Sequence, residues 1–208
     1  MFDFLRLKKT TPEEKFWKWF ELNKTELEKF TNSDHSNTLI YNRLTKAMKK
    51  YNSILFPELT MSDDDQYVMI ITPDGHPDGI ESTRKLFDSK PELENWVIKR
   101  FRQPTDTIHL NFNGVEYTSS DVEILPQVNN QNDKINIKVF IRNMNKDEKN
   151  YQTLAFLYLD HILGEYNTMT KIGFIDFHHL DEGKSVEGGI SVLELRKLIE
   201  TEIYKVST

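Results

Sequence analysis

The first fifty residues alternate between apolar and polar positions with a helical period. Apolar side chains from Phe16 to Phe30 recur at spacings of three, four and seven, and Pro12 followed by two glutamates indicates a helix start. After the polar break TNSDHSN, a second apolar face runs from Leu39 to Tyr51. This pattern predicts a helical hairpin over residues 12–52. We expect its FWKWF cluster to lie inside, because large aromatic side chains are usually buried.

Beyond an acidic turn, MSDDDQ, the pattern changes to strands alternating with helices. The predicted elements are a buried strand (67–72), a helix interrupted at Pro91 (80–101), a strand (107–112) turning at Asn113-Gly114 into an edge ribbon (115–125), a period-two strand (135–142), an apolar helix (147–166), a strand (171–178) and a last helix capped by Ser191.

This order predicts an α+β fold. An antiparallel sheet with a ferredoxin-like β-α-β-β-α-β core is expected over residues 66–180, with the N-terminal helical hairpin before it and a C-terminal helix over 190–205. No internal repeat and no Pro/Gly/Ser-rich linker interrupts the 208 residues. We therefore predict a single domain over residues 1–208.

Composition and charge narrow the class of protein. Hydrophobic residues make up 38% of the chain, which suits a folded core, and the net charge of −6 argues against nucleic acid as a partner. The sequence contains no cysteine, which excludes disulfides, thiolate zinc sites and cysteine nucleophiles. The start, MFDFLRLKKT, lacks the order of a secretory signal, and no apolar run is long enough to span a membrane. We expect a soluble cytoplasmic protein with no membrane association.

Residues 154–182 hold the densest set of chemically versatile side chains, including His161, His178 and His179. In a ferredoxin-like sheet the last two histidines lie at the opposite end from His161, so the three are not expected to converge. His161 and Glu165 are four residues apart, which places them on one face of a helix. They form a candidate binding pair or an ordinary hydrogen-bonded pair, and we favour the second interpretation.

The loop PDGHPDG at residues 73–79 is the second candidate. Asp74, His76 and Asp78 alternate along it and could bind a ligand opposite His161 and Glu165. The simpler interpretation, which we favour, is two successive tight turns with Asp78 as the N-cap of the next helix. A metal shared between the two candidates matches no short ligand motif such as H-E-x-x-H, and no metal or other cofactor is predicted.

A third candidate is the outer face of the sheet, where His109, Asn111, Asn136, Lys138 and Arg142 would project together if the register allows. The segment KINIKVFIR lacks the glycines of RNA-binding sheets and has a single aromatic residue. We expect this face to be solvated or covered. The sequence also lacks phosphate-binding and α/β-hydrolase motifs.

Three segments resemble those of an uncharacterised bacterial family, a domain of unknown function. They are EKFWKWFELNKTEL, PELENWVIKRFRQP, and LDHILGEYN followed by KIGFIDFHHL. The resemblance implies a soluble bacterial protein. The family has no assigned activity, cofactor or functional residue, so no site is carried onto these positions.

Taken together, the residues predict a non-catalytic binding or interaction domain. Its partner would be a protein or a small molecule, or a second copy bound through a sheet face or edge. No catalytic residue is assigned, because no nucleophile and base converge in the pattern. The alternative is a metal-assisted hydrolase with a site between the 73–79 loop and the end of the 147–166 helix, where an ion would activate water.

Overall fold

The computed structural model describes residues 9–33, 38–112, 115–128, 134–142 and 151–204. The chain separates into two compact units, Met1–Phe101 and Arg102–Thr208. Each is described by itself, and the predicted single domain stays a prediction. No helix in these described ranges is long and apolar enough to cross a membrane.

The first unit contains the predicted helical hairpin and a small sheet. Its elements are α1 (Pro12–Thr31), α2 (Leu39–Tyr51), β1 (Phe56–Met61), β2 (Tyr67–Thr72), α3 (Ile80–Asp88) and β3 (Trp96–Arg100). Helix α1 begins as predicted at Pro12, after a capping box in which Thr11 Oγ1 accepts from the Glu14 amide at 3.1 Å and Glu14 Oε2 accepts from the Thr11 amide at 2.8 Å.

The FWKWF cluster lies inside the first unit, as predicted. Phe16, Trp17 and Phe20 are buried, and the Trp17 indole Nε1 donates to the Leu86 carbonyl at 2.9 Å. The sheet has the order β1-β2-β3, with β1 antiparallel and β3 parallel to β2. Helix α3 makes the crossover between the two parallel strands, which is the connection that such strands require.

Two predictions for the first unit are wrong. Strand β1 was not predicted, and the second half of the predicted 80–101 helix is strand β3. Helix α3 ends at Asp88, before Pro91, and the chain re-enters the sheet at Trp96. Proline removes an amide donor and ends the helix, and the apolar residues that follow pair with β2 instead of extending a helical stripe.

The second unit contains two separate groups of strands. Its elements are β4 (His109–Phe112), β5 (Val115–Thr118), β6 (Val122–Val128), β7 (Ile135–Arg142), α4 (Tyr151–Leu163), α5 (Glu165–Lys171), β8 (Ile172–Leu180) and α6 (Val192–Tyr204). Strands β4 and β5 form a two-stranded antiparallel ribbon. The other three form a sheet of order β6-β7-β8, in which β6 is antiparallel and β8 parallel to β7.

One face of the β6-β7-β8 sheet carries the core. Alternate residues of β7, from Ile135 to Ile141, are buried against apolar side chains of α4 and α6. The last helix is capped as predicted: Ser191 Oγ accepts from the Glu194 amide at 3.2 Å, and Glu194 Oε2 accepts from the Ser191 amide at 2.7 Å. This core positions β8 at the edge of the sheet.

The α+β class is confirmed, but the ferredoxin-like order is not. The strands are divided among two three-stranded sheets and the β4–β5 ribbon, and each three-stranded sheet mixes an antiparallel with a parallel pair. The predicted 147–166 helix is also wrong in its length, because α4 ends at Leu163 and α5 begins at Glu165. Residues 147–150 and the predicted Asn113-Gly114 turn lie outside the described residues.

Candidate functional site

The PDGHPDG loop of the first unit folds as two successive turns. The His76 amide donates to the Pro73 carbonyl at 3.1 Å, and the Gly79 amide donates to the His76 carbonyl at 3.0 Å. Asp74 has a positive φ of 52°, and its amide donates to the buried Thr72 hydroxyl at 2.9 Å. The interpretation as tight turns is therefore confirmed.

The acidic and histidine side chains of this loop lie on the surface. Asp74, His76 and Asp78 are all exposed. The predicted N-cap is wrong, since Gly79 precedes α3 and no side chain caps the helix. The reason is a 3-10 turn over Pro77–Gly79 that leads directly into α3. Ligand binding by the three side chains stays a prediction.

The other predicted pair, in the second unit, does not share a helix face. His161 is exposed on α4, whereas Glu165 is the first residue of α5 and is 0% exposed. Gly164 separates them with a φ of 78° that ends the first helix. The spacing of four residues therefore does not bring their side chains together as an unbroken helix would.

Glu165 is held by Arg102, which the sequence did not connect with it. The Arg102 amide donates to Glu165 Oε2 at 3.1 Å, and the Glu165 amide donates to the Arg102 carbonyl at 3.0 Å. The Arg102 guanidinium lies 3.9 Å from Glu165 Oε1 and 3.3 Å from Asp160 Oδ2. Two buried carboxyl groups thus share one arginine. Such pairing is expected, because a buried charge without a partner is strongly destabilising.

Asp160 is the group in this cluster whose protonation the surroundings change. It is 8% exposed, and burial raises its pKa to about 6, with the nearby Glu165 carboxyl acting in the same direction. Arg102 and a hydrogen bond from the Thr168 hydroxyl oppose this effect without cancelling it. Asp160 therefore loses its proton at a higher pH than an ordinary aspartate does.

The segment after Arg102 is bound along the α4–α5 junction. The Thr105 amide and hydroxyl both donate to the His161 carbonyl, at 2.6 and 3.0 Å. A Cβ on Gly164 would lie 2.9 Å from Pro104 Cδ. These contacts indicate a structural role for the cluster of Arg102, Asp160 and Glu165, because its polar groups bond to one another and to the α4–α5 junction.

No described residues form a group of three or more histidine, aspartate or glutamate side chains that could hold a metal ion. The structure therefore gives the metal-assisted alternative no ligand set of its own among these residues. The two histidines of β8 each lie beside one aspartate. His178 Nε2 is 2.9 Å from Asp176 Oδ2, and His179 Nε2 is 3.3 Å from Asp181 Oδ1.

The β8 strand offers a different kind of site, which is an open sheet edge. In the described part of the chain, β8 pairs with β7 on one side and has no strand on the other. Its outer face carries His178, which stacks on Phe140 with ring centroids 4.7 Å apart and an interplanar angle of 20°. His178 Nε2 also lies 2.9 Å from Asp176 Oδ2, two residues back along the strand.

Exposed aromatic side chains flank this edge. Phe174 is 70% exposed at the start of β8, and Phe156 of α4 is 45% exposed while its ring meets Phe177 edge-to-face, with centroids 5.7 Å apart. Phe174 lies in a bulge at which two residues of β8 stand opposite Asn136. The Asn136 side-chain oxygen accepts from the Phe174 amide at 2.8 Å, which fixes the bulge.

The predicted outer-face group is only partly assembled. Asn136, Lys138 and Arg142 lie on β7, but His109 and Asn111 belong to the separate β4–β5 ribbon. The prediction failed because the strand containing them does not pair with β7. Arg142 is used structurally: it bonds Glu123 at 3.3 Å and the Asp181 and Lys184 carbonyls at 2.9 and 3.0 Å.

Several residues of interest had a weak sequence signal or none. Arg102 is 63 positions from Glu165, a separation at which no periodicity applies. Phe156 and Phe174 read as ordinary apolar positions. The sequence of β8, IGFIDFHHL, did carry a signal that this strand is less buried than β7. It lacks the strict alternation of apolar and polar residues that β7 has.

Comparison with models of known protein families, with curated proteins and with solved structures gives no match for this chain. The resemblance of its three segments to an uncharacterised bacterial family therefore stays an interpretation of the sequence.

Proposed function

We propose that this chain is a non-catalytic interaction domain that assembles with a second copy of itself through the outer edge of β8. The observation that carries the proposal is a nine-residue edge strand flanked by the exposed rings of Phe156 and Phe174. An edge strand presents unpaired backbone donors and acceptors, which form a template for another strand.

The other edges of the two three-stranded sheets carry prolines or basic residues, which β8 lacks. Strand β1 contains Pro57, β3 ends in Lys99 and Arg100, and β6 contains Pro126. Proline removes a donor and charged residues discourage pairing, and both are common devices against association at an edge. Strand β8 contains no proline, lysine or arginine, and its charged residue is Asp176. The bulge of β8 lies near its start, so the remainder of the strand is the part that we propose to pair.

Sedimentation velocity on the full chain tests the proposal. We expect wild type to sediment as a dimer, and Phe174→Lys to raise the dimer dissociation constant at least about tenfold, because a lysine would discourage pairing at the edge. Leu22→Lys is the matched control, since Leu22 is 77% exposed on α1 in the first unit.

Two results would overturn the proposal. One is a wild-type chain that stays monomeric at about 100 μM, a concentration at which even weak specific association is detected. The other is an equal loss of dimer in Phe174→Lys and Leu22→Lys, which would show that general surface hydrophobicity and not the β8 edge causes association.

A further inference from the structure

We infer that residues 181–190 form a strap that closes the outer edge of β6, and that the ion pair of Glu123 with Arg142 holds this strap in place. Strand β6 lies on the opposite side of its sheet from β8. The strap acts as a guard, which keeps β6 from pairing with a strand of a second copy. This inference does not depend on the proposed assembly through β8.

Ile190, the last residue of the strap, occupies the middle of the β6 edge. The Ile124 amide donates to the Ile190 carbonyl and the Ile190 amide donates to the Ile124 carbonyl, both at 2.7 Å. The two residues form an isolated antiparallel bridge. Backbone groups of alternate residues point to the same side of an antiparallel strand, so Pro126 also faces outward, where it offers no donor. The middle of this edge is therefore closed to another strand.

The Glu123 carboxylate of β6 connects the strap with Arg142. Its Oε2 accepts from the Val186 amide at 2.7 Å, and its Oε1 accepts from the Arg142 guanidinium at 3.3 Å. A Cβ on Gly189 would lie 2.9 Å from Val186 Cβ and 3.1 Å from Glu123 Oε2, which explains the glycine at this position. The Glu123 and Arg142 side chains are 20% and 17% exposed, so solvent screens this pair less than it would an exposed pair.

Arg142 of β7 holds the first half of the strap. Its Nη1 donates to the Asp181 carbonyl at 2.9 Å and to the Lys184 carbonyl at 3.0 Å. The Lys184 amide donates to the same Asp181 carbonyl at 3.2 Å, which closes a turn. A guanidinium carries five N–H donors in one plane, so this one side chain binds two carbonyl groups and a carboxylate together. Loss of Arg142 would therefore release the strap at several points.

Little apolar burial holds the strap besides these polar contacts. Residues 181–185, 187 and 188 are all exposed. A segment with few buried apolar contacts can open locally while the rest of the domain stays folded. We therefore expect loss of the ion pair to open the strap and to expose the Ile124 backbone without unfolding the core.

Hydrogen exchange of the Ile124 amide, followed by NMR on the full chain, measures opening of the strap. Arg142→Gln should accelerate this exchange at least about tenfold, because the bond to Ile190 is then broken more often. Glu123→Gln should act in the same direction, since it removes the charge from the other side of the pair. The Val139 amide, in the central strand β7, should be unaffected, because it reports opening of the core.

Arg196→Gln is the matched control for this measurement. Arg196 lies on α6 in the same unit, its side chain is 24% exposed, and it pairs with Asp106 and Glu200. The control removes a partly buried arginine ion pair away from the strap, so Ile124 exchange should stay at the wild-type rate. Equal acceleration in Arg142→Gln and Arg196→Gln, or equal acceleration at Ile124 and Val139, would overturn the inference, because either result indicates general destabilisation.

Sedimentation velocity tests the guard itself. Arg142→Gln should form larger species than wild type does at the same concentration, because an uncovered edge presents unpaired backbone groups. Adding Leu125→Glu on β6 should reverse this association, since a charged side chain discourages pairing at an edge. The new carboxylate would stand opposite Lys138 of β7, which favours the folded monomer.

Faster Ile124 exchange without any added association would overturn the role of a guard. Added association that persists in the double variant with Leu125→Glu would also overturn it, because the contact would then lie elsewhere. A monomeric wild type would remove only the proposed assembly through β8, since the effect of Arg142→Gln is measured as a change from wild type.

Discussion

Arg102 and Glu165 are joined by backbone hydrogen bonds in both directions. The Glu165 amide donates to the Arg102 carbonyl at 3.0 Å, and the Arg102 amide donates to Glu165 Oε2 at 3.1 Å. The same arginine, at the start of the second unit, reaches Asp160, so it contacts two buried carboxyl groups. The first two predictions concern this junction.

Asp160→Asn should change how stability depends on pH. Because the pKa of Asp160 is raised to about 6 in the folded chain from 3.8, the folded state binds this proton more tightly than the unfolded state does. The stability that this tighter proton binding contributes is greatest below about pH 4, and it is lost as the pH rises through about 6. At about 1.4 kcal/mol per pKa unit, the loss is about 3 kcal/mol.

Urea unfolding at several pH values between 4 and 7 measures this effect. The free energy of unfolding of Asp160→Asn, relative to wild type, should increase as the pH rises across that range, because asparagine does not titrate. Curves for the two proteins that stay parallel from pH 4 to 7 would contradict the assigned environment of Asp160.

Gly164→Ala should destabilise the chain by about 2–4 kcal/mol, from the positive φ of 78° together with the close approach of Pro104. Gly183→Ala is the matched control, because Gly183 has a φ of 69° and no atom within 4 Å of an added Cβ. The control should cost only about 1–2 kcal/mol from backbone conformation. Equal losses of unfolding free energy in the two variants would show that contact with Pro104 is unimportant.

Thr83→Val should stabilise the first unit by about 1 kcal/mol. The Thr83 hydroxyl is buried and makes no hydrogen bond, so replacing it with a methyl group removes an unsatisfied polar atom at nearly constant volume. Thr72→Val is the matched control, since the equally buried Thr72 hydroxyl accepts from the Asp74 amide and its loss should cost about 1 kcal/mol. Thermal unfolding would show opposite shifts, and shifts of the same sign would refute the assignment.

Zinc or manganese at about 1 mM should leave the melting temperature within about 1 °C of its value in EDTA, since a specific site would stabilise the folded state by mass action. The basis is that the described residues contain no cluster of three candidate ligands. An increase of several degrees that disappears in His76→Ala would instead support the metal-assisted hydrolase that the sequence left open.

The helical hairpin, β2, β7 and the capped last helix could be predicted because their information is local. Periodicity and capping residues act over one or two turns, as at Thr11 and Ser191. Strand β3 could not be distinguished from a helix, because its five residues are too few to show a period of two or of 3.6. The division into two sheets is a property of pairing between distant strands, which no short pattern records.

The candidate site shows the same limit at the level of single residues. The spacing of His161 and Glu165 suggested a shared face only on the assumption of an unbroken helix, and one glycine at position 164 removes that assumption. The true partner of Glu165 is Arg102, and their contact depends on tertiary folding of the second unit.

The bulge beside Asn136 determines where β8 can lose a residue without rearranging its faces. Ile172 and Ile175 are three positions apart, yet both pair with buried β7 residues, because the extra residue at positions 173–174 lies between them. Deleting one residue of the bulge would leave the two isoleucines two positions apart, which is the regular spacing of one face, so Asp176 and His178 would stay on the outer face. Deleting Ile175 with the bulge kept would instead shift the rest of the strand by one position, turning Asp176 and His178 inward and inverting an entire surface.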